Sequence, residues 1–429
     1  MRPRAKLRWQ SPAAGLGGTR YSPCMTEPAQ PPSTSGWAPL TITLAIQALV
    51  TMALLALPSM APKVAQALAI SPAYLGLYIA MAYLGAMIAS LAAGAAVARY
   101  GAIRVSQAGL VLCAIGLALC TVPSFAAMGV GAVLIGMGYG PVTPASSHLL
   151  ARTTPAHRIS LVFSIKQTGV PVGGALAGAI VPSLQQFAGW QQALLAVAAA
   201  NIVCAIVSQQ LRKDFDADRD PSRPLAAGNL LHPVKMVLRD RSLRMLAACS
   251  FIFSIAQLSL TTYLVTYLTD SLAYGLVAAG ALLSVSQVGA VLGRVGFGYL
   301  SDRWLGARRM LAMLASVMAV SALTTSLLPA HPPALLVMPV LFIFGATALG
   351  WNGVYLAEVA RQAPSGMAGI ATGGTLAITF VGVMLGPPMF GGLAALFGSY
   401  RAGFGALAVP LCVCAVVLWR RPRHVTTAS

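Results

Sequence analysis

The sequence predicts an all-α integral membrane protein, with twelve transmembrane helices in two pseudo-symmetric six-helix bundles. Three observations predict it. The 429 residues are 57% hydrophobic and 9% charged, with a mean hydropathy of +0.77, whereas soluble domains carry about 25% charged residues. Twelve stretches reach the roughly 20 mainly apolar residues that a membrane-crossing helix needs. Finally, short motifs in the first half of the chain recur in the second half in the same order.

The spans are placed at about 38–60, 72–97, 104–122, 125–150, 159–182, 190–211, 243–268, 274–300, 308–328, 334–359, 366–390 and 401–420. All are of helix length, and none shows the alternating pattern of about ten residues that marks a lipid-facing barrel. They organise the chain as an N-terminal tail (1–37), a first bundle (38–211), a central loop (212–242), a second bundle (243–420) and a C-terminal tail (421–429). Residues 1–37 are rich in Arg, Pro, Gly and Ser and have no apolar core. They predict a disordered tail and not a signal peptide, with Met25 as an alternative start of translation.

The formal charge of +19 could suggest a nucleic-acid partner, but its distribution predicts otherwise. With the N-terminus inside, 24 of the 28 Lys and Arg fall in cytoplasmic segments. Lys63 and Arg401 lie outside, and Lys166 and Arg294 lie within spans. That is the positive-inside rule met in many loops at once. It places both termini in the cytoplasm of a bacterial cell, in the inner membrane, with anionic lipid as the partner of the basic loops. The seven cysteines lie mostly inside spans with no CxxC pair and read as small apolar residues.

The central loop contains DFDADRDPSRP and then an apolar-basic stretch with Lys235, Arg239, Arg241 and Arg244, which predicts a helix on the inner membrane surface. The halves on either side of it match. GAAVARYGAIR at 94–104 pairs with GYLSDRWLGARR at 298–309, ARTTP at 151–155 pairs with ARQAP at 360–364, and the Gly/Pro run at 169–174 pairs with that at 386–392. Parallel repeats with a substrate site between them are a recurring transporter architecture.

GYLSDRWLGARR resembles the loop signature of the major facilitator superfamily, Gly-x-Leu-x-Asp-Arg-x-Gly-Arg-Arg, with one extra residue before Gly306. The resemblance covers about residues 38–420 and implies a secondary transporter that works by alternating access. Three departures stand out. Ala98 replaces the motif aspartate in the first copy, which implies a one-sided inner lock. The arginine common in span 4 of proton-coupled members is absent near Ala132. Val170 interrupts the antiporter-like run at 169–174, which counts against a drug antiporter.

Between Glu27 and Asp214 the chain has no Asp or Glu, yet it places Lys166 within a span. Lone cations in a membrane are costly and mark polar cavities or substrate paths. Lys166 lies eight residues after Arg158, and Arg294 eight before Asp302, so both sit ~12 Å from the inner ends of spans 5 and 8. In the superfamily these spans approach each other. The pair is therefore a candidate site for an organic anion, Arg294 as a fork and Lys166 as a point charge. The alternative is that Lys166 snorkels and Arg294 braces the 8–9 loop.

Asn352, Tyr355, Gln257, Gln47, Tyr139 and Gln167, with Thr143 and Gln287, are the candidate polar lining; each could equally be a helix–helix hydrogen bond. Asp302, Arg303, Arg309, Arg361 and Glu358 are the candidate conformational latch, against an ordinary interfacial cluster. His148, near the inner end of span 4, is either a proton carrier or a hydrogen-bonded bystander. Pro141, Pro144, Pro171, Pro387 and Pro388 predict bends or pivots, and Gly169, Gly173 and Ala177 predict close helix packing.

The expected substrate is a small organic anion such as a carboxylate, with a proton or an exchanged anion as co-substrate. Export of neutral or amphipathic compounds stays open as the alternative. A cation exporter would want a buried carboxylate, which spans 1–6 lack. An enzyme is not expected, since the five histidines are scattered without ligand spacing; no metal or cofactor is expected either. A receptor is not expected, because neither tail is long enough to fold a signalling domain. The protein is expected to act as a monomer.

Overall fold

The computed structural model describes residues 37–60, 64, 66, 74–222 and 231–420. The expectations for the N-terminal tail before Trp37, for Cys24, Met25 and Lys63, for 223–230 and for the tail at 421–429 lie outside the described residues. The helices are α1 (Ala38–Ser59), α2 (Tyr74–Tyr100), α3 (Ala102–Cys120), α4 (Phe125–Tyr139), α5 (Val142–Thr153), α6 (Ile159–Gln167), α7 (Gly169–Ala188) and α8 (Trp190–Ser208). After the central segment come α9 (His232–Arg239), α10 (Arg241–Asp270), α11 (Leu276–Leu300), α12 (Ala307–Leu327), α13 (Ala334–Gly350), α14 (Asn352–Gln362), α15 (Ala368–Phe397) and α16 (Tyr400–Trp419).

Among the described residues, eleven helical segments are long and apolar enough to cross a bilayer. The predicted fifth span is not among them, and it is split into α6 and α7 at Thr168. Three predicted spans are interrupted in this way near mid-length. Span 4 breaks into α4 and α5 at Gly140–Pro141, where proline has no N–H to give the ladder. Span 10 breaks into α13 and α14 at Trp351. By contrast α15 runs unbroken through Pro387 and Pro388, and Tyr263 Oη donates to the Pro387 carbonyl at 3.0 Å.

The two copies of the loop motif turn in the same way. Gly101 (φ +97°) and Gly306 (φ +73°) each occupy left-handed backbone at the head of the next helix, a region that disfavours other residues. In the first copy the Gly101 N–H bonds to the Val97 carbonyl four residues back, at 2.8 Å. In the second, Gly306 N–H bonds to the Ser301 carbonyl five back, at 2.8 Å. The extra residue is absorbed as one π-helical turn over Ser301–Leu305.

Two apolar cores form. One runs from Ile42 to Phe215, and the other is built mainly from Val237 to Leu418. The second also takes in Leu150, Ile159 and Phe163, so the inner half of span 5 is docked in the opposite bundle. The halves meet where the basic loops lie. There α6 packs on α11 and α14, and α15 packs on α2 and α5. Ser164 fills a notch formed by two glycines: a Cβ on Gly298 would fall 2.5 Å from its Oγ, and one on Gly353 would fall 2.3 Å from its Cα. Beyond Thr168 the same span, now α7, packs chiefly on α1 and α8 of its own half. The conformation is therefore closed at the basic end.

Candidate functional site

Small residues set the geometry around Lys166. On α7 the buried positions are Gly169, Gly173, Ala177 and Val181, one stripe at four-residue spacing. It lies against α1 so closely that Cβ atoms on Gly169 and Gly173 would come 2.8 Å and 2.2 Å from the Leu44 and Ala48 carbonyls. The expected close packing is there, and it brings Gln47 of α1 to Lys166.

Lys166 is 1% exposed and Arg294 3%, so neither side chain points at lipid or snorkels to the headgroups. Lys166 Nζ donates to Gln47 Oε1 at 2.8 Å, Gln167 Oε1 at 3.1 Å and Thr143 Oγ1 at 3.3 Å. All three ammonium donors thus meet neutral oxygens. Gln47 Oε1 also accepts from Thr143 Oγ1 at 3.1 Å, and Gln47 Nε2 donates to Thr51 Oγ1 at 3.4 Å.

Arg294 uses carbonyls that helix breaks leave free. Its Nη1 donates to the Gln167 carbonyl at 2.5 Å and its Nε to the Leu349 carbonyl at 3.0 Å. Gln167 closes α6, and the residue four later is Pro171, which has no N–H to offer it. Leu349 lies in the last turn of α13, where carbonyls lack helical partners. Arg294 Nη2 has no hydrogen-bond partner among the described residues, and no ion pair among them involves either cation. Gln167 therefore joins the two cations, its side chain on one and its main chain on the other. Tyr139 lies within electrostatic reach of Arg294.

The polar chain continues into the second half. Asn352 Nδ2 donates to the same Leu349 carbonyl at 3.4 Å and to Gln257 Oε1 at 3.3 Å, and Trp351 Nε1 donates to Gln257 Oε1 at 3.1 Å. Seven of the residues singled out in the sequence, Gln47, Thr143, Lys166, Gln167, Arg294, Asn352 and Gln257, thus form one connected network. Tyr355 is not in it: the ring packs edge-on against Trp351, and the buried hydroxyl lies beside Ser250, Thr375 and Thr379 instead. Gln287 is exposed and also apart. The Leu349 carbonyl and Trp351 were not singled out as ligands. The Pro171 spacing was the readable sign that Gln167 had a carbonyl to give.

Three of the five candidate latch residues, Asp302, Arg361 and Glu358, are brought together. Asp302 accepts from the Ser160 N–H at 3.1 Å and the Leu161 N–H at 2.7 Å, so it caps α6 from the other half. Its Oδ1 also pairs with Arg361 at 3.0 Å. Arg361 reaches Glu358 at 3.8 Å, and Glu358 accepts from Gln362 at 2.9 Å. Arg303 and Arg309 are corrected: both are exposed, with no ion-pair partner among the described residues.

Ala98 leaves span 2 without the motif aspartate, and Asp302 has no cross-half counterpart there among the described residues. The central segment places its own carboxylates on the first half. Asp218 pairs with Arg152 and meets His148 Nε2 at 2.7 Å. Asp216 caps α3 through the Ile103 N–H at 2.8 Å and the Arg104 N–H at 3.0 Å. Burial pushes the Asp218 carboxyl up, but the hydrogen bonds from His148 and Arg152 outweigh it and hold it at about 2. The predicted surface helix, α9, is seated on the protein, with Pro233 and Val237 buried and the Pro233 carbonyl against Gly374.

A gentisate transporter of Corynebacterium glutamicum is 25% identical over 274 residues, 61% of this chain and 59% of the relative. Monocarboxylate transporter 11 of Mus musculus is 26% identical over 330 residues, 71% of this chain and 69% of the relative. The fold matches the crystal structure of a transporter, FucP, in the outward conformation, with a TM-score of 0.72 at 17% identity, covering 90% of this chain and 100% of that one. Residues 41–387 match the Major Facilitator Superfamily. Helices, duplicated loop motif and sequence match agree: the chain belongs to the Major Facilitator Superfamily, a family of membrane transporters and not of enzymes.

Proposed function

We propose that this transporter carries a small organic anion, of the carboxylate class, and that Lys166 and Arg294 receive its negative charge. The observation that carries the reading is the pair of buried cations met only by neutral oxygens, with Arg294 Nη2 unpartnered. An isolated buried charge costs several kcal/mol even after relaxation. Two of them sharing Gln167 make a site whose natural complement is an anion. The planar guanidinium offers a carboxylate a geometry that an ammonium does not. The relatives named for gentisate and monocarboxylate transport support the same class.

With the basic end in the cytoplasm of a bacterial inner membrane, the conformation described here opens outward. Asp302 on the first turn of α6, with Arg361 and Glu358 behind it, then holds the inner side shut. Release of that capping contact and of the Ser164 notch lets the halves part at the inner side.

Uptake into proteoliposomes tests the reading, using labelled aromatic and aliphatic carboxylates, neutral metabolites and amphipathic dyes, with and without a pH gradient. Carboxylates are expected to be moved and to compete with one another. Movement of neutral or cationic amphiphiles with no response to carboxylates would overturn it and favour the exporter.

A further inference from the structure

A groove of about 470 Å³ runs between α10, α12 and α16 and shares no lining residue with the cation network. Four arginines ring its basic end: Arg241 and Arg244 at the head of α10, Arg308 at the head of α12, and Arg420 just past α16. Arg308 is fixed, its Nε on the Leu418 carbonyl at 3.1 Å and its Nη2 on the Arg420 carbonyl at 2.8 Å. Arg244 donates to the Leu238 carbonyl at 3.0 Å. No ion pair among the described residues involves any of the four. The nearby carboxylate of Asp240 is engaged by the Leu243 N–H at 2.8 Å.

Deeper along the same helices the lining turns apolar, through Ala248, Ile252 and Val413. Arg241 and Ile252 are eleven residues apart, about 16 Å along a helix. Val413 and Val417 are exposed on the outer surface of α16, so the groove opens sideways. Trp419, 53% exposed beside Arg420, marks the headgroup level where tryptophan concentrates. Fixed positive charge at headgroup depth above an apolar wall open to the bilayer complements one kind of molecule.

We infer that this groove is a binding site for an anionic phospholipid, its phosphate held by Arg241, Arg244, Arg308 and Arg420 and an acyl chain lying along Ala248, Ile252 and Val413. A free phosphate would use the arginines but leave the apolar half of the groove idle. The site is separate from the proposed substrate site, so either can fail without the other.

The test is native mass spectrometry of the full chain, titrated in detergent with phosphatidylglycerol or phosphatidylcholine. The anionic lipid is expected to bind at least tenfold more tightly. Each exposed arginine near a membrane surface contributes about 1 kcal/mol, or about fivefold. The triple variant Arg241→Gln, Arg244→Gln, Arg420→Gln is therefore expected to lose most of the preference, while Arg104→Gln, Arg158→Gln, Arg303→Gln keeps it. Arg308 is left in place because it ties helix ends together. Ala248→Trp fills the apolar half without touching charge and is expected to weaken the same lipid severalfold, so it carries the test should the triple variant not fold. Equal binding of the two lipids, equal loss in both triple variants, or competition by glycerol 3-phosphate at the lipid's own concentration overturns the proposal.

Discussion

Arg294→Lys keeps the charge at the centre of the network and removes the fork. In the wild type the guanidinium holds two carbonyls, Gln167 at 2.5 Å and Leu349 at 3.0 Å, and leaves Nη2 for a ligand. A lysine ammonium can keep one of these contacts but not all three directions at once. A hydrogen bond to a charged group contributes about 1.5–3 kcal/mol. The empty protein should therefore lose about one such bond and melt a few degrees lower. The bound form should lose a second, the one made to the anion, and about 2 kcal/mol there is about a thirtyfold rise in Kd. The assay compares a carboxylic acid with its neutral amide as inhibitors of uptake. If Arg294 binds the anion, the acid-to-amide affinity ratio collapses in the variant. If Arg294 only braces the broken helices, both compounds weaken together while the melting temperature falls. An acid-to-amide ratio within twofold of wild type refutes the anion reading, whatever happens to stability.

Three further outcomes are expected. Gly298→Ala and Gly353→Ala each place a methyl against Ser164 and should block closure at the basic end, lowering transport at least tenfold and raising thiol labelling of a cysteine placed there. Ser164→Gly should partly rescue the first, whose clash is with the serine side chain, and not the second, whose clash is with its backbone at 2.3 Å. Asp302→Asn keeps the shape of the α6 cap but removes its charge, and should shift the closed state by about 1–2 kcal/mol, seen as a roughly tenfold change in inner-side accessibility; unchanged accessibility would rule the latch out. Asp218→Asn should cost on the order of 1 kcal/mol once solvent screening is allowed for. Because the folded carboxyl is held at about 2, below its ordinary value near 3.8, that stabilisation is complete above about 3.8 and fades only as pH falls through 2. In a His148→Gln background the melting difference should therefore be flat from pH 5 to 8, and a loss near pH 6 would refute the assignment.

The spans and the pairing of the halves were readable because lipid enforces a simple rule: every backbone group must bond within its own helix, so length and apolarity mark each crossing. The helix breaks were less legible. Pro141 and Pro171 could be read as bends, but Trp351 looks like an ordinary interior residue, and only the packed structure shows α13 ending beside it. The cation pair stood out because Lys166 and Arg294 are anomalous among their neighbours. Their partners were named as a set of polar groups, but the route between them, through the Gln167 and Leu349 carbonyls, is main-chain chemistry that side-chain patterns do not encode. Arg303 and Arg309 were drawn in by the motif, yet their side chains extend to solvent, where such charges cost little and need no partner.

Ala98 goes with a different set of contacts in each half. In the second half the loop-motif carboxylate, Asp302, reaches both Arg361 and the first turn of α6. In the first half the matching arginine, Arg152, takes Asp218 from the central segment, and Asp216 of that segment caps α3. A few residues on, the segment's α9 is packed on α15 of the other half. The segment is thus anchored to one bundle by carboxylates and docked on the other through Pro233 and Val237 of α9. In the proposed cycle these anchors couple the segment to opening of the inner side. Cutting it between Asp220 and His232 should then speed opening while leaving the outward-facing affinity for a carboxylate unchanged. If cleavage leaves the opening rate as it was, the segment is only a connector.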